Sequence, residues 1–508
     1  MKTIYTSVSS ESLYKFIKIL EKKNNWFGDV IITNQNTREL IINDNKRIQN
    51  SLVLDTMKLR QGDFSQAEKL KFHSIDEQTL IKLSNYESNF LSWLEDTNRH
   101  NFSFDQRRLF YYEMLNFFNS IVKQHKPELL ISFTWPHVPS DYALYLLCKH
   151  VYNIPVLFFD VIPFLDKPIR LICSSYDNMS EVVEKNKNKN LTPSLSILCD
   201  EYLKSMKERP EKMFIHKYLK DWYIENSYTF NKDFLKDLLF FFKTLLKFNL
   251  FQTASIAFKK NFKSFGKKSI LNNFEYLIFK YKLLIKNFFN QRRYQILINK
   301  QRDKKLPEKF LYYPAPFQPE AATCIAQGKY ENQFLVLDML KETLPKEIKV
   351  VYKEHPGTFH GFSKGCLYKN KDYYRKLTQY DFIKFVDYKE NSIELIDKSL
   401  GVISCSSTAG WEAVNRNKPC ILFGSIWYQG CSEVFKINNI NELNEALKKI
   451  ILYKYKPNNE KIKIFFKSLI ASTVYFPSKL NKTVELDEML ENETSLKLNE
   501  IFKYTYEQ

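Results

Sequence analysis

The run Ser404-Cys405-Ser406-Ser407-Thr408-Ala409-Gly410-Trp411-Glu412 places three consecutive hydroxyls where an apolar segment, Gly401–Cys405, gives way to a helical one. Hydroxyls and unpaired backbone N–H groups at a helix start form an anion site, because the donors and the helix dipole both favour a phosphate. Glu412, one turn further on, is placed to accept from ribose hydroxyls. The plainer alternative for the hydroxyls is N-capping by Ser406 or Ser407. A second group, Tyr352-Lys353-Glu354-His355-Pro356-Gly357, ends another apolar run. Proline stops a strand there and leaves His355 at its carboxyl edge, where open α/β sheets bind ligands; Lys353 either assists or points away to solvent. In a third, Tyr312 to Thr323, prolines 314, 316 and 319 stiffen a loop that carries Gln318 and Glu320.

Two further loops follow apolar runs nearer the N-terminus. His137 lies in the proline-bounded stretch Phe133 to Tyr142, and Asp160 ends Phe158-Phe159-Asp160. Both are candidates for a general base or a nucleophile, with a turn or capping role as the alternative for Asp160. Asp141 reads as the cap of the helix after it.

These residues need a scaffold that presents strand ends. Runs at Val30–Thr33, Leu129–Phe133 and Pro155–Phe159 alternate with helical stretches at Gln106–Val122 and Ser140–Tyr152. Runs at Phe310–Tyr313, Ile348–Tyr352, Phe382–Val386, Gly401–Cys405 and Pro419–Phe423 alternate with Gln333–Leu344, Ser392–Ser399 and Thr408–Asn415. Strands alternating with helices predict parallel sheets. The fold class is therefore α/β, with two Rossmann-like domains over 1–185 and 306–455, a helical insertion over 186–305, and a polar helical tail over 456–508 that crosses back onto the first domain. A chain of 508 residues agrees with more than one core.

The net charge is +19, and residues 231–310 hold 19 Lys or Arg against five Asp or Glu, so +14 of it sits in that segment with 14 of the 42 phenylalanines. Phe/Leu faces opposed to lysine faces suit an amphipathic element at an anionic membrane surface; the alternative is an insert whose aromatics pack on the domains while its lysines are solvated. Nucleic-acid binding is not expected, because no recognition motif accompanies the charge. Leu144–Leu165 and Leu238–Phe251 are both interrupted by polar residues, so neither predicts a membrane-spanning helix. Eight dispersed cysteines without a C-x-x-C pair, and an N-terminus without an apolar leader pattern, predict a cytoplasmic protein, peripheral at most on the inner face of the membrane. The absence of G-x-G-x-x-G, Walker and H-E-x-x-H patterns sets aside the common dehydrogenase, kinase and zinc-peptidase readings.

Taken in order, Tyr313-Pro314 through Gln318-Pro319-Glu320, Lys353-Glu354-His355-Pro356, Ser406 through Glu412, and Lys418-Pro419 resemble capsule polysaccharide biosynthesis proteins of the branch that contains Kdo transferases. The resemblance covers chiefly 310–430, with an echo in 128–175. It implies a GT-B glycosyltransferase, metal-independent, with no cofactor beyond its nucleotide-sugar substrate, the donor held by the second domain and a glycan or lipid-linked acceptor by the first, in a cleft between them. It further implies His355, Ser406, Ser407 and Thr408 at the phosphate of a CMP-sugar, with Lys353 as a possible aid. Glu412 falls at the ribose and Gln318 and Glu320 at the transferred sugar; the base or nucleophile at the anomeric carbon is then assigned, from the loops read above, to Asp160 or His137. The sugar expected is Kdo or a sialic-acid-like residue, destined for a growing surface polysaccharide. Alternatives are a teichoic-acid-type CDP-alcohol phosphotransferase, a UDP- or GDP-sugar transferase, and a non-catalytic binder of acidic polymer or nucleic acid.

Overall fold

In the computed structural model the described residues are 1–44, 51–94, 103–162, 169–187, 191, 193–208, 269–301, 305–359, 363–476, 478–479, 482–483 and 488–506. The Phe240–Phe242, Phe258, Phe262 and Phe265 part of the basic segment lies outside them. The strands in chain order are β1 (Lys2–Val8), β2 (Phe27–Thr33), β3 (Leu52–Asp55), β4 (Leu129–Ser132), β5 (Val156–Asp160), β6 (Ile169–Cys173), β7 (Phe310–Pro314), β8 (Lys349–Lys353), β9 (Ile383–Val386), β10 (Gly401–Ser404), β11 (Cys420–Leu422), β12 (Val434–Lys436) and β13 (Thr473–Tyr475). They form a seven-stranded sheet ordered β13-β6-β5-β4-β1-β2-β3 and a six-stranded sheet ordered β12-β11-β10-β7-β8-β9. Two parallel-dominated, helix-covered sheets are the two Rossmann-like folds that the alternation of runs predicts.

The first sheet shows why its strands read as continuous apolar runs. Ile4, Val30, Ile32, Leu54, Leu130 and Phe158 face one core, while Tyr5, Ile31, Val53, Leu129, Ile131, Leu157 and Phe159 face the other. Alternate side chains point to opposite faces, and helices cover both, so the middles of the strands are buried on both sides while ends such as Lys2 and Phe27 reach water. The sheet is not wholly parallel, as β6 runs antiparallel to β5 and β13 antiparallel to β6. The polar tail does return to this sheet: β13 pairs with β6, Phe502 meets Trp26 edge-on at 5.5 Å, and Tyr506 Oη donates to the Val156 carbonyl at 2.8 Å.

Local boundaries follow from caps. Ser103 and Gln106 close a capping box at the head of the helix Phe104–His125. The stretch expected as one helix over Ser140–Tyr152 is instead an α-helix over Pro139–Leu146 followed by a π-helical turn over Leu147–Val151.

The chain divides into two compact units, one of Met1–Phe214, Glu320–Val336 and Ser404–Gln508, the other of Ile215–Pro319 and Leu337–Ile403. Within the second, the long helix Ser269–Asn299 buries Phe279 and Leu283 against Cys366. Its polar side chains also anchor it, with Asn287 donating to the Ser363 carbonyl at 2.7 Å, Gln291 to Tyr388 Oη at 2.8 Å and Tyr294 to the Val386 carbonyl at 2.8 Å. For this described end of the basic segment, packing on a domain is the arrangement found. Among the described residues no helix is long and apolar enough to cross a membrane.

Candidate functional site

Within the second unit, the loops that leave β7 and β8 are joined by a buried ion pair. Lys369 Nζ donates to Glu354 Oε1 at 2.5 Å and to the Pro316 carbonyl at 2.7 Å, and neither charged side chain has any exposure. Glu354 Oε1 also accepts the His355 backbone N–H at 2.9 Å and Thr358 Oγ1 at 3.2 Å; Oε2 accepts from Tyr352 and Tyr374 at 3.2 and 3.3 Å. A carboxylate taken out of water is tolerated only when its lone pairs are met in this way.

His355 stands half-buried on this platform, its ring 5.6 Å from that of Phe317. The Gly357 backbone N–H donates to its Nδ1 at 3.0 Å, so in the neutral ring the hydrogen sits on Nε2. Burial, with the Lys369 and Lys353 cations near by, brings its pKa down to about 3. Lys353 is not a solubility residue: it is buried, and its Nζ donates to Ser392 Oγ at 2.6 Å. Gln318 is wholly buried at 0% exposure, whereas Glu320 stays half-exposed and offers its carbonyl to Cys324 N at 2.8 Å, opening the one-turn helix Ala321–Cys324.

In the first unit, the residues after β10 make a hydroxyl turn. Ser407 N donates to Ser404 Oγ at 3.1 Å, Tyr428 Oη donates to the Ser407 carbonyl at 2.7 Å, and Gln327 Nε2 donates to Ser406 Oγ at 2.9 Å. Neither Ser406 nor Ser407 caps the next helix: its cap is Thr408, which makes no capping bond, and the helix itself spans only Ala409–Asn415. Thr408 Oγ1 instead donates to Glu412 Oε1 at 3.2 Å, and Glu412 is buried at 6% exposure. With so short a helix the dipole is small, and the three hydroxyls are the stronger feature for an anion. Gly410 is required by packing, since a Cβ there would collide with Tyr428 Oη and lie 2.7 Å from Cys420 Sγ. Trp411 is a core residue, fully buried, with Nε1 donating to Tyr202 Oη at 2.8 Å.

The first sheet carries a second polar group on the same unit. The chain runs β1 to β2 to β3 in one direction and resumes with β4 on the other side of β1. Open α/β sheets bind ligands outside the carboxyl ends at such a reversal. There Thr134 Oγ1 donates to Ser7 Oγ at 3.0 Å, and Ser7 Oγ donates to Asp141 Oδ2 at 2.5 Å. Ser7 has φ 57°, a left-handed backbone uncommon for a side-chain-bearing residue, at a break in the β1–β2 register. Asp141 is therefore not the cap of the helix Pro139–Leu146, whose cap is Val138 without a side-chain bond; it is a buried acceptor whose pKa burial raises. His137 is exposed, with Nδ1 2.7 Å from the Trp135 carbonyl. A carbonyl only accepts, so Nδ1 carries the hydrogen and Nε2 keeps its lone pair. Asp160 ends β5, accepts the Val161 N–H at 2.8 Å, and is raised to about 7 by burial, against the opposing pull of Arg170.

The structure thus gathers Lys353 and His355 in one unit with Gln318, and Glu320, Ser406 to Thr408 and Glu412 in the other with His137 and Asp160. Lys369, Gln327, Ser7 and the acceptor role of Asp141 carry no sequence signal, because each acts through a partner between 15 and 134 positions away; Glu354 sits in the His-Pro motif, but its ion-pair role is set by Lys369 fifteen residues on.

Residues 244–433 match the family described as capsule polysaccharide biosynthesis protein, the part of the chain that holds all three motif loops after β7, β8 and β10. Among solved structures, KpsC β-Kdo 2,4 transferase of Thermosulfurimonas dismutans shares 11% identity over 73% of this chain and 87% of its own, with a TM-score of 0.34. The UDP-GlcNAc 2-epimerase of Methanocaldococcus jannaschii shares 13% over 92% of this chain and 98% of its own, with a TM-score of 0.25. Likeness at that level assigns neither protein's reaction to this chain. No curated protein matches it.

Proposed function

We propose that this protein is a glycosyltransferase of surface-polysaccharide synthesis that moves a Kdo or sialic-acid-like sugar from a CMP-activated donor to a glycan or lipid-linked glycan. The observation that carries this reading is His355, held by the Gly357 amide as an Nε2–H donor inside the stretch matched to capsule polysaccharide biosynthesis proteins. Transfer requires the bond between the anomeric carbon and the phosphate oxygen to break, its electron pair going to the phosphate, while an acceptor hydroxyl attacks and gives up its proton. Hydroxyls and N–H groups aimed at the growing phosphate charge lower that barrier. In this reading Ser406, Ser407, Thr408 and His355 meet the phosphate, Glu412 the ribose, and Gln318 and Glu320 the sugar. Lys353 acts through Ser392. His137, with its Nε2 lone pair exposed, takes the acceptor proton, and Asp160 is its rival for the role.

The test is a calorimetric titration with CMP, CDP, UDP and GDP. Saturable CMP binding that is lost in His355→Ala, and transfer that is lost in Glu320→Ala with the fold intact, are the expected results. Preference for UDP or GDP keeps a transferase and discards the CMP donor, and turnover of CDP-alcohols makes it a phosphotransferase. Failure to bind any nucleotide moves the weight to a polymer binder, whose affinity falls steeply with salt.

The same reading places the protein at an anionic membrane surface. On the helix Ser269–Asn299, Ile278, Ile285, Phe289 and Ile296 are each about 40% exposed and recur at intervals of seven, four and seven, one face of a helix, with exposed Lys282 and Lys286 beside them. Ile285→Glu with Phe289→Glu leaves the buried face intact and is expected to release the protein from phosphatidylglycerol vesicles; unchanged flotation removes the membrane from the reading.

A further inference from the structure

We propose that Lys369 is a positioning residue for the phosphate site: through Glu354 and the Pro316 carbonyl it clamps the loops after β7 and β8 and holds His355 as a neutral imidazole with its hydrogen on Nε2. The inference rests on the proposed function for what His355 binds, but not for the state of its ring. The geometry is continuous. Lys369 Nζ reaches Glu354 Oε1 at 2.5 Å, the same oxygen accepts the His355 N–H at 2.9 Å, and two residues on, Gly357 N–H donates to Nδ1 at 3.0 Å. Helix Ser269–Asn299 presses on the clamp from behind: Tyr294 Oη accepts the Glu354 N–H at 3.1 Å, and Asn290 Nδ2 donates to the Lys369 carbonyl at 2.6 Å.

Two consequences follow for the ring. A proton on Nδ1 would face the Gly357 N–H, so the imidazolium can form only if the turn opens. The groups around it oppose a second positive charge or are neutral: Lys353 and Lys369 repel it, Glu354 has its charge matched by Lys369, and the phenols of Tyr294, Tyr352 and Tyr374, pushed up by burial, stay protonated, with Tyr373 Oη in hydrogen-bond reach of Tyr352 Oη at 3.0 Å. A leaving phosphate would then be met by a fixed N–H dipole and would receive no proton from His355. An isosteric apolar pair could fill the space of Lys369 and Glu354 without loss of stability, so an ion pair at zero exposure here points to orientation.

The experiment uses the full chain labelled with 15N-histidine, with His355→Gln to assign the ring among the eight histidines. In wild type, His355 is expected to show a single Nε2–H tautomer from pH 8 down to pH 5. Lys369→Met, and the double variant Lys369→Met with Glu354→Gln, which removes the unpaired charge and so guards against simple unfolding, are expected to show mixed tautomers or protonation above pH 5. Both variants should weaken CMP at least tenfold, with an affinity that becomes pH-dependent. A wild-type ring protonated on Nδ1 at pH 7 overturns the proposal at once. A double variant that keeps the single tautomer and wild-type CMP affinity reduces Lys369 to packing. Wild type that binds no nucleotide sinks the proposed function, while the ring's tautomer still decides the role of Lys369.

Discussion

The carboxyl edges of β1 and β4 and of β7 and β8 each present a histidine after a strand, and in their neutral forms the two rings carry their hydrogen on opposite nitrogens. His137 gives its Nδ1 hydrogen to the Trp135 carbonyl and keeps a lone pair on Nε2; His355 takes the Gly357 N–H at Nδ1 and keeps a hydrogen on Nε2. One backbone atom in each loop, a carbonyl in the first and an amide in the second, decides which ring can remove a proton and which can only offer one. The supports differ as well. The first edge is two half-buried hydroxyls, Thr134 and Ser7, donating in turn onto the buried carboxyl of Asp141; the second is a fully buried ion pair. A base must exchange protons with substrate and solvent, whereas a fixed donor gains from being rigid and dry.

The largest effect that tests this contrast is on rate. His137→Gln is expected to slow transfer by roughly 10²- to 10⁴-fold, the usual contribution of a general base, with CMP affinity within twofold of wild type. If CMP affinity falls as far in His137→Gln as in His355→Gln, the two histidines do not divide the work. If Asp160→Asn abolishes transfer while His137→Gln does not, the base is Asp160.

Asp160 also gives a pH test. Its folded pKa, about 7, lies above the ordinary 3.8, so the unfolded chain releases this proton first and folding stability falls as pH rises from about 4 to about 7. Asp160→Asn is therefore expected to match wild type at pH 4 and to exceed it at pH 8 by on the order of 1–3 kcal/mol in chemical denaturation. Equal stability at both values means the carboxyl is solvated. His355 has the opposite sign: its lowered pKa costs stability as pH falls from 6.5 towards 3.

The smallest effect is at Ser7. Glycine relieves roughly 1 kcal/mol of left-handed backbone strain and gives up hydroxyl bonds worth about 1 kcal/mol, so Ser7→Gly should leave stability nearly unchanged. Transfer should nonetheless drop about tenfold, the loss of roughly one charge-assisted hydrogen bond near the reacting group. A large loss of stability would make Ser7 a structural residue and detach Asp141 from the site.

Much of this scaffold was legible in advance. The runs at 129–133, 310–313, 348–352 and 401–405 fall on strands because a parallel sheet covered on both faces leaves no polar position. Strand β1 was not legible, because Thr3, Thr6 and Ser7 interrupt it with polar residues that the fold buries or uses. Strand β6 was hidden by Arg170, an interior charge met by the neighbouring Asp160, the face of Phe476 and the Ile169 carbonyl, to which Nη1 donates at 3.1 Å. Each motif loop has a plain alternative taken singly, capping for the hydroxyls and a structural turn for the His-Pro pair, and it is their ordered combination after three strands that carries the signal.

What the sequence determined by itself is local and periodic: which apolar runs are strands, where prolines end them, and that the charge excess lies between 231 and 310. What only the tertiary structure decided is who partners whom. Glu354 finds Lys369 fifteen residues on, Gln327 finds Ser406 after 79, and Ser7 finds Asp141 after 134. A lone glutamate, lysine or serine has the same appearance in a sequence whether it is solvated or buried, and its chemistry is set by which distant atom the packed sheets bring within hydrogen-bonding distance.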